Sequence, residues 1–370
     1  MKKRLIAILA AVAVTSTLFV GCGGSNTAQN STQSKKKSFK VGLSTDQGGL
    51  NDKSFNQAAD TGVKKLQKEL GFDYKAIESK QKEDYEQNLD ALVSNGDNLT
   101  WGIGFQMESA MEDIAKKYPD KKFALIDSVA VEDEKASNPK QLSNVESVMF
   151  KENESSFLAG IIAGKMTKSH KIGFIGGIDT SLIQKFEVGF TAGVKCTDPS
   201  ASELLNNRKT VLYAGSFDDT NKGYELAKTL INEGCDVIYH AAGGVGIGMF
   251  KAVKEANDSG KKVWAIGVDQ DQSVTLPEYK NYILTSCMKK VDTATYDVTK
   301  AAYENKFKGG TQLVLGLKED GVGLAPTTSV NTPKDVVDLE KKYEDEVRSG
   351  KIQVPSKLGE VDKFTPPSIQ

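Results

Sequence analysis

Residues 39–71 read FKVGLSTDQGGLNDKSFNQAADTGVKKLQKELG, and the order of elements in this segment points to a fold class. Residues 39–46 form a short β-rich run, whereas residues 52–71 place apolar side chains at helical spacing and end at a glycine. A strand followed by such a helix predicts the first unit of a parallel α/β sheet. The loop between them holds two acids, an amide and an aromatic residue within Asp46–Phe55, which indicates a functional site.

The alternation of β-rich runs and helical patterns continues along the chain in two rounds. The first-round strands are predicted at residues 39–46, 72–79, 100–105, 122–127 and 145–150. The second-round strands are predicted at residues 171–177, 210–217, 236–244, 262–269 and 282–290. Between the rounds lies a predicted helix whose small residues would allow close packing: Ala159, Gly160, Ala163 and Gly164. Two rounds of this kind predict two like α/β lobes, each a parallel sheet flanked by helices.

The predicted boundaries follow from this pattern. We expect an N-terminal lobe at residues 38–152, a C-terminal lobe at 153–290, and a crossover helix with segments that pack across the lobes at 291–370. The length of 370 residues and the hydrophobic content of 39% are enough for two large cores. The net charge of -1 gives no reason to expect nucleic acid as a partner.

The N-terminus has the pattern of an export signal. Residues 1–21 combine a basic start with an apolar run that is short for a membrane span, and Cys22 follows a small residue. This ending resembles the bacterial lipoprotein box, although Phe19 stands where that pattern prefers Leu. We expect lipidation, typically with palmitate, at Cys22, and a flexible polar tether over residues 22–37. The alternative is a signal cleaved elsewhere, with Cys22 an ordinary thiol.

The remaining cysteines and histidines suggest no metal site. Cys196, Cys235 and Cys287 allow at most one disulfide, and the sequence does not say which pair would form it. No Cys/His spacing is typical of zinc, and we expect neither a metal nor a cofactor.

Candidate ligand-binding residues follow the predicted strands. The ligand crevice of an open parallel sheet lies beyond the carboxyl ends of its strands, so residues at these positions should meet in one place. They are Asp46 to Phe55, Gln106 and Asp127 in the first round, and Phe217, Gly243, Gly244, Asp269, Lys289 and Lys290 in the second.

The chemistry of these residues favours one ligand class. Carboxylates accept hydrogen bonds from hydroxyl and amino groups, and the rings of Phe55 and Phe217 offer faces for stacking. The only arginines are Arg4, Arg208 and Arg348, and none follows a predicted strand. A site for a phosphate or an amino-acid carboxylate would usually contain an arginine. The pattern therefore favours a neutral, polyhydroxylated and partly planar ligand, namely a nucleoside.

Several motifs carry a family resemblance over nearly the whole mature chain. They are DQGGLNDKSFNQ, FALID, FLAG, GFIGG, FEVGFTAGV, GSFDDTNKG, AAGGVG, AIGVDQDQ, KKVD, GVGLAP and SGKIQVP. In combination the chain resembles the BMP (basic membrane protein) lipoproteins, the purine nucleoside-binding components of ABC importers. The resemblance implies a two-lobed, hinged periplasmic-binding-protein-like fold of type I. It also implies a monomer, lipid-anchored on the extracytoplasmic face of the cell membrane, that passes adenosine, guanosine or inosine to an ABC permease and ATPase.

The resemblance also implies roles for individual residues. The first loop would contribute Asp46, Asn51 and Phe55, with Phe55 stacking on the base. Asp127 would bind the base or a nearby hydroxyl, Phe217 would face the ligand from the other lobe, and Gly244 would allow close backbone approach. Asp269 and Lys289 would bind the ribose hydroxyls. The family commonly has Lys-Arg-Val-Asp where this chain has Lys289-Lys290-Val-Asp, so the assignment of Lys289 over Lys290 stays open.

Simpler structural roles remain open for the same residues. Asp46 or Asn51 could cap the helix that begins near Asp52. The two phenylalanines could be core residues, and Asp269 could form an interlobe salt bridge with Lys289.

Other functions fit less well but also remain open at this point. A ribose receptor or a surface sensor would use a similar fold. A nucleoside hydrolase would be expected to hold a dense N-terminal aspartate cluster, whereas Asp46 and Asp52 stand apart with no third acid beside them. We therefore expect no enzymatic activity.

Overall fold

The computed structural model describes residues 38–367 and 369. The predicted signal peptide, Cys22 and the tether lie outside the described residues. The strands of the described part are β1 (Lys40–Thr45), β2 (Asp73–Ile77), β3 (Leu99–Ile103), β4 (Phe123–Ile126), β5 (Val145–Phe150), β6 (Ile172–Gly176), β7 (Val211–Tyr213), β8 (Val237–Ala241), β9 (Trp264–Asp269), β10 (Ile283–Lys289), β11 (Thr311–Leu315) and β12 (Val322–Leu324).

The helices of the described part flank these strands. They are α1 (Phe55–Leu70), α2 (Asp84–Ser94), α3 (Glu108–Lys117), α4 (Glu152–Met166), α5 (Ser181–Thr197), α6 (Pro199–Asn206), α7 (Thr220–Asn232), α8 (Val245–Asp258), α9 (Gln272–Thr275), α10 (Val291–Tyr303), α11 (Thr328–Asn331), α12 (Lys334–Arg348) and α13 (Glu360–Lys363). Short 3₁₀ helices cover Phe105–Met107 and Pro277–Tyr282.

The strands form two six-stranded sheets. The first has the order β11-β5-β4-β3-β1-β2, and the second has the order β12-β10-β9-β8-β6-β7. All pairings are parallel except that of β12 with β10, which is antiparallel. We call each sheet with its flanking helices a lobe. The predicted α/β class with two mainly parallel sheets is confirmed, and all ten predicted strands are present.

Strands β11 and β12 were missed by the sequence analysis. They are only five and three residues long, and half-buried and exposed positions dominate both, so neither gives a clear hydrophobic pattern. Strand β11 extends the first sheet next to β5, and β12 extends the second sheet next to β10. The C-terminal part of the chain thus contributes to both sheets, while the lobe boundaries themselves remain a prediction.

The N-terminus of α1 lies beside the carboxyl edge of the first sheet. The helix begins at Phe55, three residues later than predicted, and the Asp52 carboxylate accepts the backbone N–H groups of Ser54 at 3.0 Å and Asn56 at 2.8 Å. Asp52 therefore satisfies N–H groups that would otherwise lack partners in the first turn. The helix ends at Leu70 and is followed by Gly71, whose φ of 70° is in the left-handed region that favours glycine.

Helices α4 and α5 pack closely against each other at a glycine of α4. A Cβ atom at Gly160 would lie 2.2 Å from the carbonyl oxygen of Phe190, which is closer than two such atoms can approach. Only glycine, which has no Cβ atom, fits at this position. The predicted close packing through small residues of α4 is therefore confirmed. The three described cysteines, Cys196, Cys235 and Cys287, are free thiols, and Cys287 is fully buried. Within residues 38–367, no helix combines the length and apolarity required to cross a bilayer.

Candidate functional site

A cavity lies where the carboxyl edges of the two sheets face each other. It encloses about 550 Å³ of empty space, which includes space open to the solvent. The loops after β1, β3 and β4 and the start of α1 form one wall. The other wall is formed by α5, by the loop after β7 and by residues at the ends of β8, β9 and β10. The wall residues are Asp46, Gly48, Asp52, Phe55, Asn56, Gly104, Phe105, Asp127, Leu182, Ile183, Phe186, Phe217, Ala241, Ala242, Gly243, Val268, Asp269 and Lys289.

Six of the eight residues to which the resemblance assigns a role in ligand binding line the cavity. They are Asp46, Phe55, Asp127, Phe217, Asp269 and Lys289. Asn51 lies on the loop after β1, where it is exposed and does not line the cavity. Gly244 directly follows Gly243, which does line the cavity. Contact of any of these residues with a ligand stays a prediction.

Lys289 is the centre of a buried charge cluster. Its Nζ lies 2.5 Å from Asp127 Oδ2 and 3.0 Å from Glu152 Oε1, and its side chain is only 3% exposed. The same ammonium group lies 5.1 Å from the ring centre of Phe55 and 5.0 Å from that of Phe150, within the range of a cation–π interaction. The interlobe salt bridge of Lys289 therefore goes to Asp127 of the first lobe. The alternative partner considered from the sequence, Asp269, lies in the same sheet as Lys289.

The ionisation of this cluster is set by burial and by its excess of acids. Burial raises the pKa of Asp127 to about 6, and the charge of Lys289 opposes that rise. Burial also raises the pKa of Asp269. For Lys289 burial would lower the pKa, but Asp127, Glu152 and Asp269 outweigh it and hold the pKa above its usual value. Lys289 is therefore a cation at neutral pH, and it lies near two carboxyl groups, those of Asp127 and Asp269, that are less acidic than usual.

Asp127 and Asp269 share an uncommon backbone conformation. Their φ angles are 69° and 63°, in the left-handed region that residues other than glycine seldom adopt. Asp127 directly follows β4, and Asp269 is the last residue of β9, so the two lobes present these carboxylates at corresponding strand ends. Such backbone strain tends to be retained at functional sites.

The first loop holds a second group of polar residues. Asp46 Oδ1 accepts hydrogen bonds from Asn56 Nδ2 at 2.7 Å and from the backbone N–H of Gly48 at 3.0 Å. Burial raises the pKa of Asp46, and burial likewise raises the pKa of Asp52 to about 7. This end of the cavity therefore contains acceptors that ionise less readily than exposed carboxylates.

The two lobes touch directly at the rim of the cavity. Ser54 Oγ of the first lobe donates a hydrogen bond to Asp269 Oδ2, and Gln270 Nε2 donates to the carbonyl oxygen of Ser54 at 2.6 Å. The rings of Phe105 and Phe217 meet edge to face, with centroids 6.1 Å apart. The structure is therefore a closed arrangement of the lobes.

Several wall residues were not selected from the sequence. Asn56 lies inside α1 rather than after a strand. Glu152, which pairs with Lys289 but does not line the cavity, was not selected either, because it begins α4. Phe105 directly precedes Gln106, which the strand-end rule had selected. Phe186 of α5 both packs in the core of the second lobe and lines the cavity.

Comparison with known proteins identifies the family. The family model Bmp, described as "ABC transporter substrate-binding protein PnrA-like", matches residues 39–357. The chain belongs to the Bmp family. As a Bmp protein it is a substrate-binding protein that binds a solute and an ABC transporter, and it is not an enzyme. The resemblance seen in the sequence is confirmed.

Individual relatives support this assignment. The chain is 38% identical over 371 residues to the ABC transporter nucleoside-binding protein BmpA of Lactococcus lactis, covering 96% of this chain and 100% of that protein. It is 36% identical over 312 residues to an uncharacterised lipoprotein of Pyrococcus abyssi, covering 83% and 73% of the two chains. A crystal structure of an ABC transporter solute-binding protein from Aeropyrum pernix aligns with a TM-score of 0.73 and 28% identity, covering 88% and 96%. The type I two-lobed fold is thereby confirmed.

Proposed function

We propose that this Bmp protein captures purine nucleosides between its two lobes and delivers them to an ABC importer. The observation that carries the proposal is one cavity that combines aromatic rings, Phe55 and Phe217, with the buried groups Asp127, Asp269 and Lys289. Rings suit a flat heterocycle, and a carboxylate–ammonium set suits neighbouring hydroxyls. The name of the relative from Lactococcus lactis, a nucleoside-binding protein, supports the same ligand class.

We further propose that the protein is anchored to the extracytoplasmic face of the cell membrane through lipid on Cys22. The basic and apolar residues before Cys22 support this, as does the name of the lipoprotein from Pyrococcus abyssi. The polar residues 22–37 would give the binding lobes freedom to reach a permease.

Binding would proceed by closure of the two lobes, taken as residues 38–152 and 153–290 with later segments contributing to both. The base would lie between aromatic rings, and the ribose hydroxyls would meet Asp269 and Lys289. Closure would remove water from the site, so a polar group left unpaired would cost about 1–3 kcal/mol. The contacts of Ser54 and Gln270 across the rim would then hold the lobes together.

Titration calorimetry on the full-length protein in detergent tests the ligand class. We expect saturable binding of adenosine or guanosine, with the nucleoside recovered unchanged. Ribose alone should bind far more weakly, because it lacks the flat base. Equal binding of ribose and guanosine at one site would refute the proposal in favour of a sugar receptor.

A further inference from the structure

We propose that Gln272 is a positioning residue that holds the two lobes closed over a bound solute and thereby sets how slowly the solute leaves. The inference rests on the proposed closure of the lobes around a nucleoside. Gln272 is the first residue of α9, is fully buried and does not line the cavity. It contacts instead the backbone of Lys53, in the loop after β1 of the first lobe.

The second lobe fixes the orientation of the Gln272 amide. Its Oε1 accepts the backbone N–H of Val268 at 2.9 Å, and a reversed amide would place its NH₂ group against that N–H. The same oxygen lies 2.9 Å from Nε2 of His240. Burial lowers the pKa of His240 to about 4, so the ring is neutral at neutral pH, and the amide oxygen requires its one proton on Nε2. The NH₂ end of Gln272 is therefore left for the first lobe.

Close packing in the second lobe keeps the Gln272 side chain in this position. A Cβ atom at Gly267 would lie 2.5 Å from Gln272 Oε1, so a side chain there would displace the amide. The backbone N–H of Gln272 donates to Ser286 Oγ at 3.1 Å. The ring of His240 packs edge to face against Phe250, with centroids 5.3 Å apart. The direction of the NH₂ group is thus set within the second lobe, before the lobes meet.

The acceptors on the first lobe are two consecutive backbone carbonyl groups. Gln272 Nε2 donates to the carbonyl oxygen of Lys53 at 3.3 Å, and Thr275 Oγ1 donates to the same oxygen at 3.5 Å. The neighbouring carbonyl, that of Ser54, accepts from Gln270 Nε2 at 2.6 Å. Lys53 has a φ of 56°, in the left-handed region that residues other than glycine seldom adopt. One turn of the second lobe therefore holds one turn of the first lobe through three side-chain donors.

These bonds act on closure and not on the choice of ligand. The donors bind the protein backbone, so each bond stabilises the closed form by the same amount whichever nucleoside is enclosed. A more populated closed form raises the apparent affinity, and it does so by slowing release, because the solute enters while the lobes are open. A residue that contacts the ligand would instead discriminate among nucleosides.

The release of radiolabelled adenosine from the full-length protein in detergent, chased with excess unlabelled adenosine, measures this effect. Gln272→Met keeps the length of the side chain but removes the donor, and it should raise the release rate about threefold to tenfold. The association rate constant should stay within about twofold of the wild type, and guanosine and inosine should show the same factor as adenosine. Gln312→Met, the same change at an exposed position of β11, should leave the wild-type rates unchanged.

Gln272→Glu separates the contact with Lys53 from the contacts inside the second lobe. It keeps an oxygen for Val268 and His240, but at about pH 8 it presents a second oxygen, and no donor, to the Lys53 carbonyl. Release from this variant should be at least as fast as from Gln272→Met. It also serves alone if the methionine variant fails to fold.

The outcomes distinguish this inference from the proposed function. If the wild type binds none of the three nucleosides, the proposed function fails and this inference fails with it. If the wild type binds them but Gln272→Glu releases adenosine at the wild-type rate, only the role of Gln272 is wrong. A loss that falls on association, or that differs several-fold among the nucleosides, would also overturn that role, because it would indicate a disturbed binding site.

Discussion

Replacing Lys289 by methionine removes the cation of the buried cluster and keeps a side chain of similar length. Asp127 and Glu152 would then lose an ammonium group that lies 2.5 Å and 3.0 Å away, in a site where Lys289 is only 3% exposed. Removing one partner of a buried ion pair costs about 3–5 kcal/mol, because the other charge stays buried without compensation. Lys185, 3.4 Å from Glu152, would compensate only part of this loss. We expect the unfolding free energy of Lys289→Met to fall by about 3 kcal/mol or more near neutral pH.

The loss should depend on pH in a defined direction. Without Lys289, the pKa of Asp127, which burial already raises to about 6, would rise further above its unfolded value of about 3.9. A carboxyl with a raised folded pKa binds its proton more tightly in the folded state, so stability falls as pH rises through that pKa. The destabilisation by Lys289→Met should therefore be large at about pH 8 and clearly smaller at about pH 5.

Urea denaturation of the ligand-free protein at these two pH values measures the effect. Lys290→Met is the matched control, because Lys290 is the next residue, is only half-buried and forms no salt bridge in the described structure. Its unfolding free energy should stay within about 0.5 kcal/mol of the wild type. Equal losses in the two variants, or a loss in Lys289→Met that does not change with pH, would refute the assignment of Lys289 as the buried counter-ion.

Three further predictions concern other parts of the molecule. Asp269→Ala should weaken nucleoside binding about tenfold or more in calorimetry without unfolding the protein, since its carboxylate is expected to bind ribose hydroxyls; near-normal affinity would remove Asp269 from the site. Burial raises the pKa of Glu340 to about 8, so the wild-type protein must ionise a buried carboxyl above that pH. Glu340→Gln should therefore raise the unfolding free energy by about 1 kcal/mol or more above about pH 8, and by much less at about pH 5. An effect that does not change with pH would contradict this reasoning. Cys22→Ala should move the protein from the membrane fraction to the soluble fraction and abolish incorporation of labelled palmitate, and retention in the membrane would point to another anchor.

Much of the fold was readable from local patterns, and the site was readable in part. The strand-end rule selected Asp127 and Asp269 because parallel strands carry whatever follows them to a common edge. It did not select Asn56, because that residue reaches the cavity from the first turn of a helix. It also selected Asn51, whose side chain is exposed on the loop after β1 and whose contact with a ligand stays a prediction.

The sequence by itself determined the two rounds of strands and helices, because hydrophobic spacing and turn residues act over short stretches of chain. Only the tertiary structure decided which sheet β11 and β12 join, since these short strands carry little pattern of their own. It alone also paired Lys289 with Asp127 and Glu152 and turned the Asn56 amide toward Asp46. Such pairings depend on which charges and donors meet after folding, and the spacing of residues along the chain does not specify them.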